Sequence, residues 1–241
     1  MSQQKTSDHI LKRLHPSRIE TYTRYSQGDK EKALQLYLWN LRLGSAFHLS
    51  LSIFEVILRN AIDEKLRDWN ASQINLFGEY HSPDWLKDPA RPLNSLTKGA
   101  RTQATQNAAK ARSARASDHP RKDEDISHND ILAQLSFGAF VRLLPILDET
   151  EKTYKARQVL WNESISSIFT SNTEQLKLIQ VDRISRIHSL RNRVAHLEPL
   201  LGVNVRARHR DMIKVIGAIE PEIQGWFSGV SNVMEVNRKR P

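Results

Sequence analysis

The residues best suited to catalysis lie in one polar segment near the C-terminal end of the chain, Ser189-Leu190-Arg191-Asn192-Arg193-Val194-Ala195-His196-Leu197-Glu198-Pro199. An arginine can hold a phosphate, an amide can orient it, and an imidazole can move protons. These groups suffice for metal-free cleavage of RNA, in which the 2′-hydroxyl attacks its own 3′ phosphate and positive charge stabilises the transition state. The alternative is the polar end of a packed helix, with solvated arginines and a histidine that caps carbonyl groups.

The spacing of these residues assigns a role to each of them if the run is helical. Asn192 and His196 share a face because they are four residues apart, and Arg193 also neighbours His196. Arg191 lies about 140° round the helix from His196, so its side chain either wraps back or acts across a subunit boundary. His196 falls in the last turn, where the helix dipole favours the imidazolium form that a general acid needs. DNA lacks the 2′-hydroxyl and should not be cut, whereas RNA should yield a 2′,3′-cyclic phosphate and a 5′-hydroxyl.

The arginine-to-histidine spacing has little weight by itself. Arg183 and His188 repeat it within the same predicted helix, and a chain with this many arginines and nine histidines is expected to contain a chance match. Specificity comes from Asn192 directly after Arg191, and from the continuation through His196 to Pro199.

Composition narrows the classes of function. The 241 residues carry a formal net charge of +9, which favours polyanionic partners and most simply nucleic acid. No cysteine occurs, which excludes disulfides, thiolate metal sites and cysteine nucleophiles. The polar segment from Met1 to Arg18 does not resemble a signal peptide, and we expect charged residues to interrupt the apolar stretches too often for a membrane span. A cytoplasmic location without a membrane partner is therefore expected.

Apolar periodicity is helical almost throughout, so the sequence predicts an all-α fold. A helix over about 10–25 should be broken by Gln27-Gly28-Asp29, with Asp29 as the N-cap of the next helix. A central, largely buried helix is predicted from Ser45 to about Trp69. A narrow polar stripe on this helix consists of His48, Ser52, Glu55 and Arg59.

The second half of the chain begins with an irregular, proline-rich stretch over 83–92. The basic segment 94–129 has too few apolar residues for firm packing, and it is either an exposed helix followed by a loop or a mobile insertion. Further helices are predicted from Asp130 to Pro145, over 155–169, and from about Arg208 past Pro221. The motif helix is predicted from Leu176 to Leu197, with apolar residues along one face. The five tryptophans should anchor the core, with Trp85 the candidate for exposure.

Other candidate sites are weaker. Glu55 and Arg59 have the favoured i,i+4 order for a partly buried ion pair. The Asp123-Glu124-Asp125 run with His128 lies in a polar loop and lacks a recognised ligand pattern, so no metal is expected. No phosphate-cradling loop and no dinucleotide glycine motif occurs, so neither ATP nor NAD nor any other cofactor is expected.

Several segments match a known family. Arg191 to Pro199 fits its Arg-Asn-x-x-x-His motif in an RNR-x-AH-x-EP setting. Its other signatures are matched by Tyr37-Leu38-Trp39-Asn40, the segment 54–62, Leu135-Ser136-Phe137-Gly138-Ala139-Phe140, Pro221 with Trp226, and Arg240-Pro241. On these residues the chain resembles, over nearly its whole length, the Abi-like proteins, which are bacterial abortive-infection proteins within the wider HEPN group. The family often has a second histidine after the motif histidine, and here that position is Leu197.

The resemblance implies one Abi-like domain over 1–241, a HEPN-type helical bundle with additional helices and the basic insertion 94–129. It implies a metal-independent RNA endonuclease in phage defence or toxin action, acting as a homodimer whose motif helices face one another, with an antitoxin or defence-system partner. His196 would be the acid/base, Arg191 the phosphate stabiliser and Asn192 the orienting group. The candidate substrate-binding residues are Arg193, Arg59 and Glu55. The alternatives are a non-catalytic RNA-binding protein and a protein-interaction module on the same scaffold.

Overall fold

Helices account for the regular structure of residues 3–241, which are the residues that the computed structural model describes. The α-helices are α1 (Gln3–Arg13), α2 (Pro16–Tyr25), α3 (Lys30–Ser72), α4 (Leu93–Ser113), α5 (His128–Leu132), α6 (Phe137–Val141), α7 (Tyr154–Glu163), α8 (Glu174–Ala195), α9 (Val205–Ile219), α10 (Pro221–Val230) and α11 (Val233–Arg238). A 3₁₀ helix, Ile165–Ile168, follows α7. Within residues 3–241 the β structure is limited to one isolated bridge, between Ile74 and Tyr80. The all-α prediction is confirmed.

The described residues form two compact units. The first unit contains the described residues up to Phe54, together with Arg186–Gly217 and Pro221–Pro241. The second unit contains Glu55–Ser185 and Ala218–Glu220. Helices α3 and α8 are each divided between the units, with one segment in the first unit and the other segment in the second. The single domain over 1–241 stays a prediction.

The first unit has its core around the N-terminal part of α3. Its buried apolar side chains include Leu43, Phe47, Leu51, Ile187, Leu190, Met212, Val215, Ile216 and Phe227. Two polar contacts connect α3 to the C-terminal segment: Trp39 Nε1 donates to the Val236 carbonyl at 3.0 Å, and Ser50 Oγ lies 2.9 Å from Ser231 Oγ. Burial of this apolar surface is the main stabilising term of the unit.

The second unit has its core around the C-terminal part of α3. Buried side chains here include Leu58, Ile62, Leu66, Trp69, Trp85, Phe137, Phe140, Leu160, Trp161 and Ile165. Trp85 is fully buried because its indole N–H donates to Asp63 Oδ1 at 2.8 Å, so the expectation that it is the exposed tryptophan is wrong. The exposed tryptophan is Trp226, in the first unit, at 56%.

Helix boundaries differ from the predicted ones at several points. The predicted helix over 10–25 is two helices, because His15 has a left-handed φ of 65° and Pro16 starts α2. Asp29 caps α3 as predicted, since its Oδ1 accepts the Lys32 N–H at 3.0 Å. The two helices expected between Asp29 and Trp69 are one continuous helix, α3.

The basic segment 94–129 is a helix, α4, followed by a loop, which is the first of the two predicted alternatives. The expectation of weak packing is wrong, because Leu93, Ala104 and Ala108 of α4 are buried. The helix predicted from Asp130 to Pro145 is instead the two short helices α5 and α6. The reason is that Ser136 is extended, with ψ of 154°, and interrupts the helical backbone.

Helix α3 is long enough and apolar enough to cross a bilayer when length and composition alone are considered. The expectation that charge interrupts every apolar stretch is wrong here, since no Asp, Glu, Lys or Arg occurs between Arg42 and Glu55. Buried core helices of soluble proteins pass the same test, and α3 supplies buried core residues to both units. The absence of a membrane partner stays a prediction.

Candidate active site

The motif lies at the C-terminal end of α8. This helix ends at Ala195, two residues before the predicted end at Leu197, and it buries Ile187, Leu190 and Val194 along one face. The predicted apolar face does not extend over the whole helix, because Leu176 and Ile179 near its start are 49% and 37% exposed. The buried face of the last turns therefore sets the direction of the motif side chains.

A tight turn closes the helix directly after His196. Leu197 adopts a left-handed φ of 54°, its N–H donates to the Val194 carbonyl at 3.1 Å, and the Glu198 N–H donates to the Arg193 carbonyl at 2.8 Å. This pair of hydrogen bonds is a Schellman motif, in which glycine is usual at the left-handed position. Arg18 Nη1 donates to the Leu197 carbonyl at 2.7 Å and holds the turn from α2.

His196 remains in the helical register although it lies just beyond the last helical residue. Its N–H donates to the Asn192 carbonyl at 3.0 Å, and its side chain is exposed. Asn192 and Arg191 are half-buried in the last turn of α8. Asn192 and His196 therefore share one face, and Arg191 points to a different side of the helix.

The structure adds His188 to the neighbourhood of the motif. Asn192 Nδ2 lies 3.4 Å from His188 Nε2, one helical turn before His196. Sequence reasoning treated His188 as half of a chance repeat of the arginine-to-histidine spacing. The signal that could have found it is the i,i+4,i+8 order of His188, Asn192 and His196, which aligns them on one helix face.

Arg193 is engaged within the turn. Its Nη2 donates to the Pro199 carbonyl at 2.7 Å, and its Nε lies 3.4 Å from Glu198 Oε2, an ion pair without hydrogen-bond geometry. These contacts fix the backbone that follows His196. The predicted role of Arg193 as a substrate contact stays a prediction.

The other two predicted site residues, Glu55 and Arg59, belong to the second unit. Both are half-buried, and Arg59 Nε donates to Asn60 Oδ1 at 3.4 Å. Arg59 also lines a cavity of ≈510 Å³, with Asp63, Glu64 and Arg67 among the other lining residues. The predicted role of Glu55 and Arg59 in substrate binding stays a prediction.

Comparison with known proteins identifies the family. The sequence profile described as Abi-like protein matches residues 9–201, a span that includes the motif and the turn after it. The chain belongs to the Abi-like protein family. Membership suggests a role in abortive infection or a related defence, whereas the HEPN assignment stays a prediction. No curated protein and no solved structure matched the chain.

The four arginines of the basic segment in this Abi-like protein are all engaged within the chain. Arg101 donates to a backbone carbonyl at 3.0 Å, and burial lowers its pKa. Arg115 and Arg121 pair with Asp130 at 3.4 and 2.8 Å, and Arg112 lies 3.5 Å from a carboxylate. These arginines hold α4, the following loop and α5 together. They are poorly placed to bind an external polyanion.

Helix α9, in contrast to the basic segment, has exposed basic side chains without partners among the described side chains. Arg206, Arg210 and Lys214 are exposed on its outer face, and among the side chains of residues 6–241 the structure gives them no ion pair or hydrogen bond. We call these three residues the basic stripe. At a rise of 1.5 Å per residue they repeat about every 6 Å along the helix. Asp211, on another face, lies 3.2 Å from Arg186 Nε and so connects α9 to the motif helix.

The sequence offers Asp123-Glu124-Asp125 with His128 as a weak candidate for metal binding. Among the described residues no group of three or more His, Asp or Glu is arranged to hold a metal ion. His128 instead lies between two carboxylates, with Nε2 2.8 Å from Asp63 and Nδ1 2.7 Å from Asp84. Burial lowers the pKa of His128, but the hydrogen bonds and charges of Asp63 and Asp84 outweigh burial and raise it overall.

Proposed function

We propose that this Abi-like protein is a metal-independent RNA endonuclease of the HEPN type that acts in the cytoplasm in phage defence or as a toxin. The observation that carries the proposal is the end of α8. There Asn192 and an exposed His196 share one face directly before a turn that Arg18 and Arg193 hold in place. The unpaired basic stripe on α9 of the same unit adds a surface for the substrate.

The proposed reaction is a transfer within the RNA strand. A base takes the proton of the 2′-hydroxyl, the 2′ oxygen bonds to the adjacent phosphorus, and the bond from phosphorus to the 5′ oxygen breaks. The imidazolium of His196 gives its proton to that leaving oxygen. Arg191 stabilises the charge that develops on the phosphoryl oxygens, and Asn192 orients the phosphate. No metal or cofactor takes part.

The position of Arg191 supports the proposal of a homodimer. Since the helical register continues to His196, Arg191 points about 140° away from it and does not share its face. A second subunit with its motif helix facing the first would place its own Arg191 against this His196. We therefore propose that each site is completed across a subunit interface, where an antitoxin or another defence-system protein could block it.

The direct test is RNA cleavage by purified protein in the presence of EDTA. Wild type should cut, and His196→Ala should lose at least about a hundredfold in rate, as expected for a general acid. His9→Ala is the matched control, because His9 is an exposed histidine on a helix of the same unit. Cleavage that needs an added divalent ion, or equal rates for wild type and His196→Ala, would refute the proposal.

A second candidate is RNA binding without cleavage, with the protein acting as a regulatory partner. The basic stripe favours it, because three exposed, unpaired cations can bind phosphates without help from His196. This function predicts salt-dependent RNA binding by both wild type and His196→Ala while the RNA stays intact. Loss of the full-length RNA with wild type in EDTA would exclude it.

A further inference from the structure

A cavity of ≈540 Å³ lies in the first unit beside the motif turn. One wall is the segment Asn40–His48 of α3, and the other is the end of α8 with the residues that follow it. The lining residues are Asn40, Leu41, Gly44, Ser45, His48, Val194, Ala195, Leu197, Glu198 and Leu200. We propose that this cavity binds one nucleobase of the RNA strand next to the phosphate that is cut. The inference rests on the proposed endonuclease function and names the part of the substrate that the site holds.

The position of the cavity links it to the reaction. Ala195 and Leu197, the residues on either side of His196, both line it. The turn that contains them is fixed by the hydrogen bond from Arg18 to the Leu197 carbonyl at 2.7 Å and by the left-handed backbone of Leu197. The proposal places the ribose and phosphate of this base at His196, which lies between two lining residues in the chain. Positioning of this kind is a large part of what an enzyme contributes to a strand-cleavage reaction.

Gly44 leaves space in the cavity because it has no side chain. Glycine is unfavourable inside a helix, and Gly44 has no left-handed φ that would require it. A Cβ placed on Gly44 meets no heavy atom within 4 Å, and Gly44 is one of the lining residues. Any larger side chain at position 44 would therefore project into the space that the base is proposed to occupy. The cavity gives a physical reason for a glycine that the helix itself does not need.

The chemistry of the lining suits a base. Leu41, Val194 and Leu200 give apolar surface for a ring face, and a volume of ≈540 Å³ lies within the usual range for small-ligand sites. His48 is exposed, and among the side chains described, those of residues 6–241, its imidazole has no hydrogen-bond partner. An imidazole can both stack on a base and exchange hydrogen bonds with a base edge. RNA-binding proteins commonly read splayed-out single-stranded bases in this way.

The test compares Gly44→Leu with Gly99→Leu. Both glycines are helical with no heavy atom within 4 Å of an added Cβ, but Gly99 lies on α4, in the second unit. Each variant is assayed on single-stranded RNA that contains every dinucleotide step, with mapping of the cut sites. Gly44→Leu should raise KM about tenfold to a hundredfold and reduce the preference for the base at the cut site, as loss of one stacked base predicts. Gly99→Leu should match wild type.

His48→Ala gives a second readout that does not depend on filling the cavity. It should reduce discrimination between bases at the cut site by about tenfold, because one hydrogen bond to a base edge is lost. Circular dichroism and a urea midpoint at the wild-type value or above it would show that Gly44→Leu is folded.

The outcomes separate this inference from the proposed function. If wild type cuts RNA while Gly44→Leu and His48→Ala keep the wild-type KM and base preference, the cavity does not bind a base, although the endonuclease function stands. If wild type does not cut RNA in EDTA, the proposed function itself has failed. If sedimentation shows that Gly44→Leu differs from wild type in oligomeric state, the inference is overturned, because the cavity then holds a side chain from a second copy of the chain. A loss of base preference at constant mass would support it.

Discussion

Neutralising the basic stripe on α9 should weaken RNA binding in a salt-dependent way. The variant Arg206→Gln/Arg210→Gln/Lys214→Gln removes three exposed cations that have no ion-pair partner among the described side chains of residues 6–241. Each phosphate contact on a single strand contributes about 0.7 to the slope of log K against log salt, so three contacts contribute about 2. Between about 50 and 200 mM salt, wild-type affinity should therefore fall about twentyfold further than that of the variant.

The assay is fluorescence anisotropy with a single-stranded RNA, with every protein in the His196→Ala background so that the RNA stays intact. The matched control is Lys98→Gln/Lys110→Gln/Lys155→Gln, which removes the same charge from exposed lysines of the second unit without breaking an ion pair. The control should keep the wild-type slope. Equal slopes for the two triple variants would show that net charge, not the stripe, drives binding, and would refute the reasoning.

Three further predictions concern stability and are checked by urea denaturation. Leu197→Gly should raise the free energy of unfolding by about 1 kcal/mol, because glycine tolerates the left-handed φ of 54°, and a lower value would contradict this. The raised pKa of His128 means that its contact with Asp63 and Asp84 stabilises fully below the unfolded pKa of about 6.5 and is lost as pH rises through the folded pKa. The stability difference between wild type and His128→Gln should accordingly shrink as the pH rises above about 6.5, and a constant difference would refute it. Trp226→Ser should change the free energy of unfolding by less than about 0.5 kcal/mol, since this tryptophan is 56% exposed, and a loss above about 2 kcal/mol would show that it is packed.

The fold class could be predicted because apolar periodicity is a local signal. Helix boundaries were harder, as α3 shows. The residues near Gly44 lower the local helix preference, but packing along both parts of α3 keeps the helix continuous. Ser136 shows the opposite case, in which one extended residue divides a periodic segment into two short helices.

Burial of individual residues depends on partners that are distant in sequence. The fully buried state of Trp85 relies on Asp63, twenty-two residues earlier, and neighbouring prolines do not reveal that contact. The same holds for charge. The sequence alone does not distinguish Arg115 and Arg121 from Arg206 and Arg210. Only the first two form an ion pair with a carboxylate, that of Asp130.

The candidate site was predicted in part. The common face of Asn192 and His196 follows from helix geometry, and the structure keeps that register. The turn at Leu197 was not foreseen, because the left-handed position of a Schellman motif normally carries glycine or asparagine. The local role of Arg193 was not foreseen either, since it depends on a carbonyl that the turn brings within 2.7 Å.

The central claim is that the 2′-hydroxyl of the RNA is the nucleophile and that His196 supplies the proton to the leaving oxygen. One measurement tests it most directly: incubation of wild type in EDTA with an RNA and with the same RNA carrying a single 2′-deoxy nucleotide at the mapped cut site. The account predicts a 2′,3′-cyclic phosphate and a 5′-hydroxyl from the first RNA, and no cut at that site in the second. Cleavage at the deoxy position, or products with a 3′-hydroxyl and a 5′-phosphate, would contradict it.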